Sequence, residues 1–292
     1  MTLLIGMSKA EGIYLSADFR VTEYPSGRLV DDSSVKMLTV HYPPDKLGAR
    51  AVLAYTGLAI LPDGTPTGTW IRETLRGESE VPDQSMAHLR DRMNRDLAPR
   101  RFPLMINALI VQGERRFFGG LSNLRADPRI PGRIQVLREF GYMMTELTQP
   151  FCFVNGSAAT HVVRDKHLAL IRAQLDVRPR KAFDHMKLLA SINRQVAAKE
   201  ATVSPACHVA FLPSKVPIGG EDPGLGPHFS PTSHSFTERG ESAPAVMPAL
   251  LFGIDLSEMM RFSMEQFRAM KAGEEPKPLD KDALNESLKR RR

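Results

Sequence analysis

Thr2 is the residue of this chain whose type and position could do chemistry, because one cut after Met1 would place it at the N-terminus. An N-terminal threonine carries a hydroxyl nucleophile and its own α-amine as base, and a nearby cation favours the deprotonated forms. The α-amine has a pKa of about 7.7 to 8.0, so it accepts a proton near neutral pH far more readily than a lysine does. An initiator methionine is usually removed before a small residue, and we therefore expect Thr2 to be exposed without a propeptide.

The residues that follow Thr2 predict that this end of the chain is held inside the fold. Leu3, Leu4 and Ile5 are apolar and adjacent to the terminus, where an exposed chain end would normally be polar. They do not form a signal peptide, because no basic segment precedes them and Lys9 and Glu11 follow at once. No apolar stretch of about 18 residues is present to span a membrane, and we expect a cytoplasmic protein.

The composition is that of an ordinary globular protein. With 292 residues and 42% apolar content, the chain could form one large domain or two small ones. Cys152 and Cys207 are the two cysteines, and we expect both to be reduced. Lysine and arginine exceed aspartate and glutamate by 39 to 33, but four of the 39 lie in the final run 289–292. Basic residues do not interleave with aromatic ones elsewhere, so we expect no nucleic-acid partner.

The sequence lacks the motifs expected for a metal site or a dinucleotide-binding site. The eight histidines are scattered, and His228 with His234 has no third ligand at metal spacing. The sequence GLG at 224–226 follows no strand, so it is not a dinucleotide fingerprint. We expect neither a metal nor a cofactor.

Hydrophobic periodicity predicts strands in runs and helices in runs. Nine segments have the pattern of strands, namely 2–7, 12–21, 35–40, 49–59, 104–113, 115–122, 133–141, 149–156 and 205–212. Helical spacing begins at Thr67, near Ser85, at Ser157 and after Pro179, and again from Asp255 or Ser257 to about Lys271. This order predicts an α+β fold, a four-layer αββα sandwich with helices outside and two sheets inside.

We expect two parts in the chain. Residues 1–212 would form the sandwich domain, and residues 213–292 would form a Pro/Gly-rich excursion, a C-terminal helix and a basic tail. Within the second part, 213–248 is expected to be an ordered excursion or a mobile loop.

The order Thr, Ala-Asp-x-Arg, Lys, Gly occurs at Thr2, 17–20, Lys36 and Gly57. With strands on both sides, and sixteen residues from Thr2 to Asp18, this region resembles the opening of proteasome β-subunits and their bacterial relatives. These are N-terminal nucleophile hydrolases. The resemblance covers about residues 2–212, and TVSPAC is closest to the ancestral-β-subunit type.

The resemblance implies a role for each matched residue. Thr2 would be the nucleophile and, through its amine, the base. Lys36 would be a buried cation near its hydroxyl, with Asp18 as the counter-charge that keeps the lysine protonated. The backbone N–H of Gly57 would face the developing oxyanion. Arg20 would be structural, tying the first strands together.

Two serines complete the implied site, each with a departure beside it. Ser157 would hydrogen-bond the Thr2 amine, although Ala158 replaces the glycine that usually follows. Ser204 would be the second supporting serine, but Ala201 stands where the family shows an aspartate. Each serine also has a plain alternative: Ser157 as a helix N-cap and Ser204 as a turn residue.

The resemblance implies a threonine-type peptidase that cleaves peptide bonds through an acyl-enzyme ester. It also implies a homo-oligomer, a ring or helical stack, with an unfoldase as a possible partner. Two alternatives stay open. One is a catalytically inactive assembly subunit, and the other is an amidase that acts on a small-molecule amide, since a fold does not determine a substrate.

Overall fold

The computed structural model describes most of the chain. The described residues are 2–23, 26, 28–43, 48–77, 81–130, 134–175, 177, 182–214, 232–245, 247–273, 275, 278 and 280–282. The strands within them are β1 Leu4–Lys9, β2 Gly12–Asp18, β3 Val21–Thr22, β4 Leu29–Asp31, β5 Met37–His41, β6 Arg50–Gly57, β7 Leu104–Gln112, β8 Arg115–Ala126, β9 Ile134–Glu146, β10 Phe151–Asn155, β11 Cys207–Pro213, β12 Thr232–Phe236, β13 Ser242–Pro244, β14 Ala249–Leu251 and β15 Ile254–Asp255. The helices are α1 Thr67–Leu75, α2 Pro82–Asp96, α3 Ala159–Arg164, α4 His167–Leu175, α5 Ala182–Ala197 and α6 Ser257–Ala272, with a 3₁₀ turn at Ala98–Arg100.

The strands form two large sheets. The first sheet has the order β10-β1-β2-β11-β12-β13, and the second has the order β15-β14-β5-β6-β7-β8-β9. Neighbouring strands are antiparallel except for β14, which pairs parallel to β5. A small β3-β4 hairpin forms a separate two-stranded sheet.

Three hydrophobic clusters separate four layers. The central cluster lies between the sheets and contains Leu4 and Leu15 from the first sheet with Val52 and Leu109 from the second. A second cluster joins the outer face of the first sheet to α3, α4 and α5, and a third joins the second sheet to α1 and α2. The predicted α+β fold, a four-layer αββα sandwich, is therefore confirmed.

Burial on both faces explains the run of apolar residues at the start of the chain. All six residues of β1 and all seven of β2 are buried, because the second sheet covers one face and helices cover the other. The alternation typical of a strand with one wet face is consequently absent. The prediction that the start of the chain is held inside the fold is confirmed from Thr2 onward.

The C-terminal part contributes strands that periodicity did not predict. β12 and β13 extend the first sheet from β11, and β14 and β15 extend the second sheet from β5. Residues 215–231 and 246 of the expected excursion, and the tail 283–292, lie outside the described residues. The domain boundary after residue 212 stays a prediction.

The predicted C-terminal helix is confirmed as α6. It ends at Gly273, whose φ of 72° is left-handed and suits a residue without a side chain. None of the helices within the described ranges has both the length and the apolar character that crossing a membrane requires.

Candidate active site

Strand register brings the two ends of the β1-β2 hairpin together. Leu4 lies opposite Ala17, so Thr2 and Leu3 run past the end of β1 alongside Asp18. The Asp18 N–H donates to the Leu3 carbonyl at 3.3 Å, and the Leu3 N–H donates to Asp18 Oδ1 at 2.8 Å. Fifteen residues of sequence separation thus become direct contact between Leu3 and the Asp18 carboxylate.

Lys36 enters the same place from the second sheet. It directly precedes β5, and its Nζ donates to Thr2 Oγ1 at 2.9 Å, to Asp18 Oδ1 at 3.2 Å and to the Arg20 carbonyl at 2.5 Å. The three acceptors match the three protons of an ammonium group. Thr2, Asp18 and Lys36 are 3%, 0% and 2% exposed, so this polar group is enclosed by the two sheets.

Burial and charge act in opposite directions on Lys36. Burial lowers the pKa of the ammonium, and the Asp18 carboxylate opposes the shift both by its charge and by its hydrogen bond. The net direction is downward. A buried cation with a lowered pKa beside a threonine hydroxyl can stabilise negative charge on that oxygen and exchange a proton with it.

Asp18 is held by backbone groups as well as by the lysine. Its Oδ1 accepts from Leu3 and Lys36, while its Oδ2 accepts the N–H of Arg20 at 2.9 Å and the N–H of Ser204 at 3.3 Å. Ser204 therefore reaches the site through its backbone, next to the carboxylate and not at Thr2.

Arg20 connects three segments of the chain. Its guanidinium binds Asp32 with two hydrogen bonds, Nε to Oδ1 at 3.1 Å and Nη2 to Oδ2 at 2.7 Å. A further donor, Nη1, reaches the Ala201 carbonyl at 2.6 Å. The sequence analysis did not single out Asp32, although its position in the polar run 31–34, separated from Lys36 by Val35 alone, was a usable signal.

Two glycines bound the site closely. Gly57 ends β6 with a φ of +103°, and a Cβ there would lie 2.3 Å from the Pro103 carbonyl oxygen. Gly156 has a φ of +100°, and a Cβ there would lie 1.9 Å from the carbonyl oxygen of Thr2 and 3.4 Å from Thr56 Oγ1. Neither position has room for a side chain. Gly156 lies in the turn before α3 and packs directly against the Thr2 backbone.

Ser157 takes a different place from the one expected. Its side chain is exposed, and within the described residues no hydrogen bond joins it to Thr2. It is also not the N-cap of α3, which is Ala158 and has no side-chain cap. The expectation that Met1 is removed concerns a residue outside the described ranges.

A narrow, mainly apolar crevice adjoins Lys36. It is bordered by residues of β5, β6 and α1, with Leu38, Tyr55 and Ile71 among them. Tyr55 is buried there, which raises the pKa of its phenol to about 12 and keeps it neutral at physiological pH.

Groups that could hold a metal are not found near Thr2. Across the described ranges, no three or more side chains of His, Cys, Asp or Glu lie close enough to share an ion. His234 lies in β12, while His228 is outside the described residues. Cys152 and Cys207 are free thiols.

The structure of the chain is similar to several solved structures. Neither a protein-family model nor a curated protein matches the sequence. The chain is similar to Anbu from Hyphomicrobium sp. strain MC1, with 12% identity over 95% of this chain and 100% of that chain and a TM-score of 0.49. It is also similar to Anbu (ancestral beta-subunit) from Yersinia bercovieri, with 14% identity over 95% and 98% and a TM-score of 0.48. For eukaryotic HslV from Trypanosoma brucei the identity is 16% over 72% and 99%, with a TM-score of 0.42. These similarities do not indicate an activity for this chain.

Proposed function

We propose that the protein is a proteasome-like threonine peptidase, an N-terminal nucleophile hydrolase that cleaves peptide bonds with Thr2. The observation that supports this most directly is the 2.9 Å contact between Lys36 Nζ and Thr2 Oγ1 inside a buried set that Asp18 completes. A threonine hydroxyl in the second position of a chain has no structural need for a buried lysine. A nucleophile does, because the cation favours the deprotonated oxygen.

The reaction would proceed in two halves once Met1 is removed. The freed α-amine of Thr2 takes the proton of the hydroxyl, and Oγ1 attacks the substrate carbonyl to form a C–O bond and an oxyanion. Collapse of this intermediate breaks the C–N bond, and the α-ammonium returns the proton to the leaving amine. Water, deprotonated by the same amine, then attacks the acyl ester and releases the acid and free Thr2.

The surrounding residues would stabilise the charges that develop during the reaction. The ammonium of Lys36 stabilises negative charge on Oγ1 while the Asp18 carboxylate limits the loss of its proton. The backbone N–H of Gly57 would face the oxyanion, at a position where a side chain would collide with Pro103. Ser204 would support the site through its backbone N–H, which donates to Asp18 Oδ2.

The assembly is part of the same proposal. The sequence resemblance implies a homo-oligomer, a ring or helical stack, that takes peptide or protein substrates with a possible unfoldase partner, and we propose that it is cytoplasmic. Residues 1–212 would form the catalytic domain, with 213–292 as an addition to it.

Intact-mass analysis of the untagged protein, before and after treatment with a β-lactone probe, tests the proposal. We expect loss of Met1 and one probe adduct, which disappears in Thr2→Ala because the acylated oxygen is gone. Thr2→Ser is the matched variant that keeps the hydroxyl and should keep the adduct.

The other outcomes separate the alternative functions. Retained Met1 would leave no free amine on Thr2 and would favour an inactive assembly subunit. A processed protein that acylates with small amides but does not cleave peptides would favour the amidase. An adduct that persists in Thr2→Ala would place the nucleophile elsewhere and contradict the proposal.

A further inference from the structure

Asp32 binds Arg20 and Ser204, two residues that hold the Asp18 carboxylate beside Thr2. Its carboxylate accepts both donors of the planar Arg20 fork, at 3.1 and 2.7 Å. Although partial burial acts in the opposite direction, hydrogen bonds from Arg20 and the Ser204 hydroxyl lower the pKa of Asp32. The carboxylate is therefore charged at neutral pH and connects β4 to the turn before β11.

Arg20 and Ser204 are also the two residues whose backbone holds the outer oxygen of Asp18. Their N–H groups donate to Asp18 Oδ2 at 2.9 and 3.3 Å. The Arg20 carbonyl in turn accepts from Lys36 Nζ at 2.5 Å. A side chain that fixes Arg20 and Ser204 consequently fixes the acceptors that surround the Lys36 ammonium.

The charge of Asp32 also reaches Lys36. The charged groups that face this ammonium are Asp18, Asp32 and Arg20: the two carboxylates raise the pKa of Lys36, and the guanidinium and burial lower it. The carboxylate of Asp31, the neighbour of Asp32, accepts a hydrogen bond from the Ser33 hydroxyl at 2.7 Å. Asp32 is thus a second counter-charge for the buried lysine, behind Asp18.

Residue 201 lies on the other side of the same guanidinium. The Ala201 carbonyl accepts Arg20 Nη1 at 2.6 Å, which places residue 201 beside the side chain that Asp32 binds. The neighbouring Glu200 carboxylate accepts the Thr202 hydroxyl at 2.6 Å and lies 3.6 Å from His161 Nε2. The carboxylate that Arg20 binds with two hydrogen bonds is that of Asp32.

We propose that Asp32 is a positioning residue of the Thr2 site, which holds Arg20 and Ser204 against Asp18. This inference rests on the proposed function of Thr2. Its role is distinct from general stability, because an ion pair with a side chain 38% exposed contributes little to folding. What it affects is the position and protonation of groups that touch the nucleophile.

Four variants test the role. Asp32→Asn removes the charge and keeps the size, and Asp32→Glu restores the charge. Ala201→Asp in the Asp32→Asn background places a carboxylate on the other side of Arg20. The matched control is Glu146→Gln, because Glu146 also binds an arginine with two hydrogen bonds, at 2.9 and 2.6 Å, and is 40% exposed.

The first readout is the rate of β-lactone labelling of Thr2 between pH 6 and 10. We expect Asp32→Asn to label about tenfold more slowly, the size of effect typical of groups that support a site from behind. The alkaline limb of its pH profile should move to lower pH, since Lys36 loses a counter-charge. Asp32→Glu and the Ala201→Asp double variant should recover at least part of the rate, and Glu146→Gln should match the wild type.

The second readout does not depend on activity. A ¹³C NMR titration of the lysine Cε signals, with Lys36 assigned by its loss in Lys36→Arg, should show Lys36 deprotonating at lower pH in Asp32→Asn. An unlabelled wild type with this shift would overturn the proposed function and leave the arrangement around Lys36 supported. A labelled wild type with neither a slower rate nor a shifted profile in Asp32→Asn would overturn the role of Asp32. Equal losses in Glu146→Gln would likewise contradict it.

Discussion

Gly156→Ala tests how closely the turn before α3 controls the nucleophile. Gly156 has a φ of +100°, and an added Cβ would lie 1.9 Å from the Thr2 carbonyl oxygen and 2.8 Å from its carbonyl carbon. Both partners are backbone atoms, so neither can rotate out of the way as a flexible side chain would.

The size of the effect follows from those distances. Cβ atoms essentially never approach another heavy atom closer than 3.0 Å, so Gly156 and Thr2 must separate by more than 1 Å. A misplacement of about 1 Å at a reacting group costs on the order of a hundredfold in rate. The left-handed backbone adds about 1 to 2 kcal/mol of strain for a residue with a side chain.

The assay compares two alanine variants with similar backbone strain. Gly64 has a φ of +87° with nothing within 4 Å of an added Cβ, so Gly64→Ala carries the strain without the collision. We expect both variants to lose a similar small free energy of unfolding to strain in urea, with a further loss in Gly156→Ala from the collision. Only Gly156→Ala should lose about two orders of magnitude in the rate of β-lactone labelling at Thr2.

Labelling of Gly156→Ala at the wild-type rate would refute this reasoning, because it would mean that the Thr2 carbonyl moves without moving the hydroxyl. Equal slowing in Gly64→Ala would also refute it, since backbone strain alone would then explain the loss.

Two further predictions concern buried charge. Lys36→Met leaves the Asp18 carboxylate buried without its cation, so it should lower the free energy of unfolding by about 3 to 5 kcal/mol in urea, and adding Asp18→Asn should recover much of that loss; no recovery would contradict the pairing. His208 is buried with both ring nitrogens lacking a partner among the described residues, and burial lowers its pKa to about 4. Because its pKa in the unfolded chain is about 6.5, the unfolded state binds the proton first as the pH falls, and stability decreases from about pH 6.5 toward pH 4. Between pH 7.5 and 5 this amounts to about 2 kcal/mol, which urea titrations of His208→Phe should not show; an unchanged pH dependence in that variant would contradict the assignment.

Periodicity predicted the layers well, because each layer has its own pattern. Amphipathic α1, α2 and α5 cover one face each, and the strands between them are apolar enough to be buried on both sides. β12 to β15 escaped prediction because they are two to five residues long, and their pairing with β11 and β5 depends on contacts distant in sequence. Short strands of this kind are decided by their neighbours more than by their own residues.

The residues of the site likewise fall into those that the sequence predicted and those that it did not. The types and spacing of Thr2, Asp18 and Lys36 were readable, and the structure brings these three into contact. Gly156 and Asp32 were not singled out, because the first acts through a missing side chain and the second through another residue's guanidinium. Ser157 was predicted to hydrogen-bond the Thr2 amine; it is exposed, and the residue of its turn that lies against Thr2 is Gly156.

The sequence by itself determined the order of elements through β11, the strand that begins at the chain start, and the residue types able to do chemistry there. Lys36 was singled out by the resemblance, and residue type and burial alone do not distinguish it from another lysine. Lys9 is as buried as Lys36, but it lies at the far end of β1 and donates to His185 Nε2 at 2.8 Å and to the Gln174 carbonyl at 2.8 Å. Only the packing of the two sheets separates the two lysines, because a charge in a low-dielectric interior is defined by the groups within a few ångströms of it.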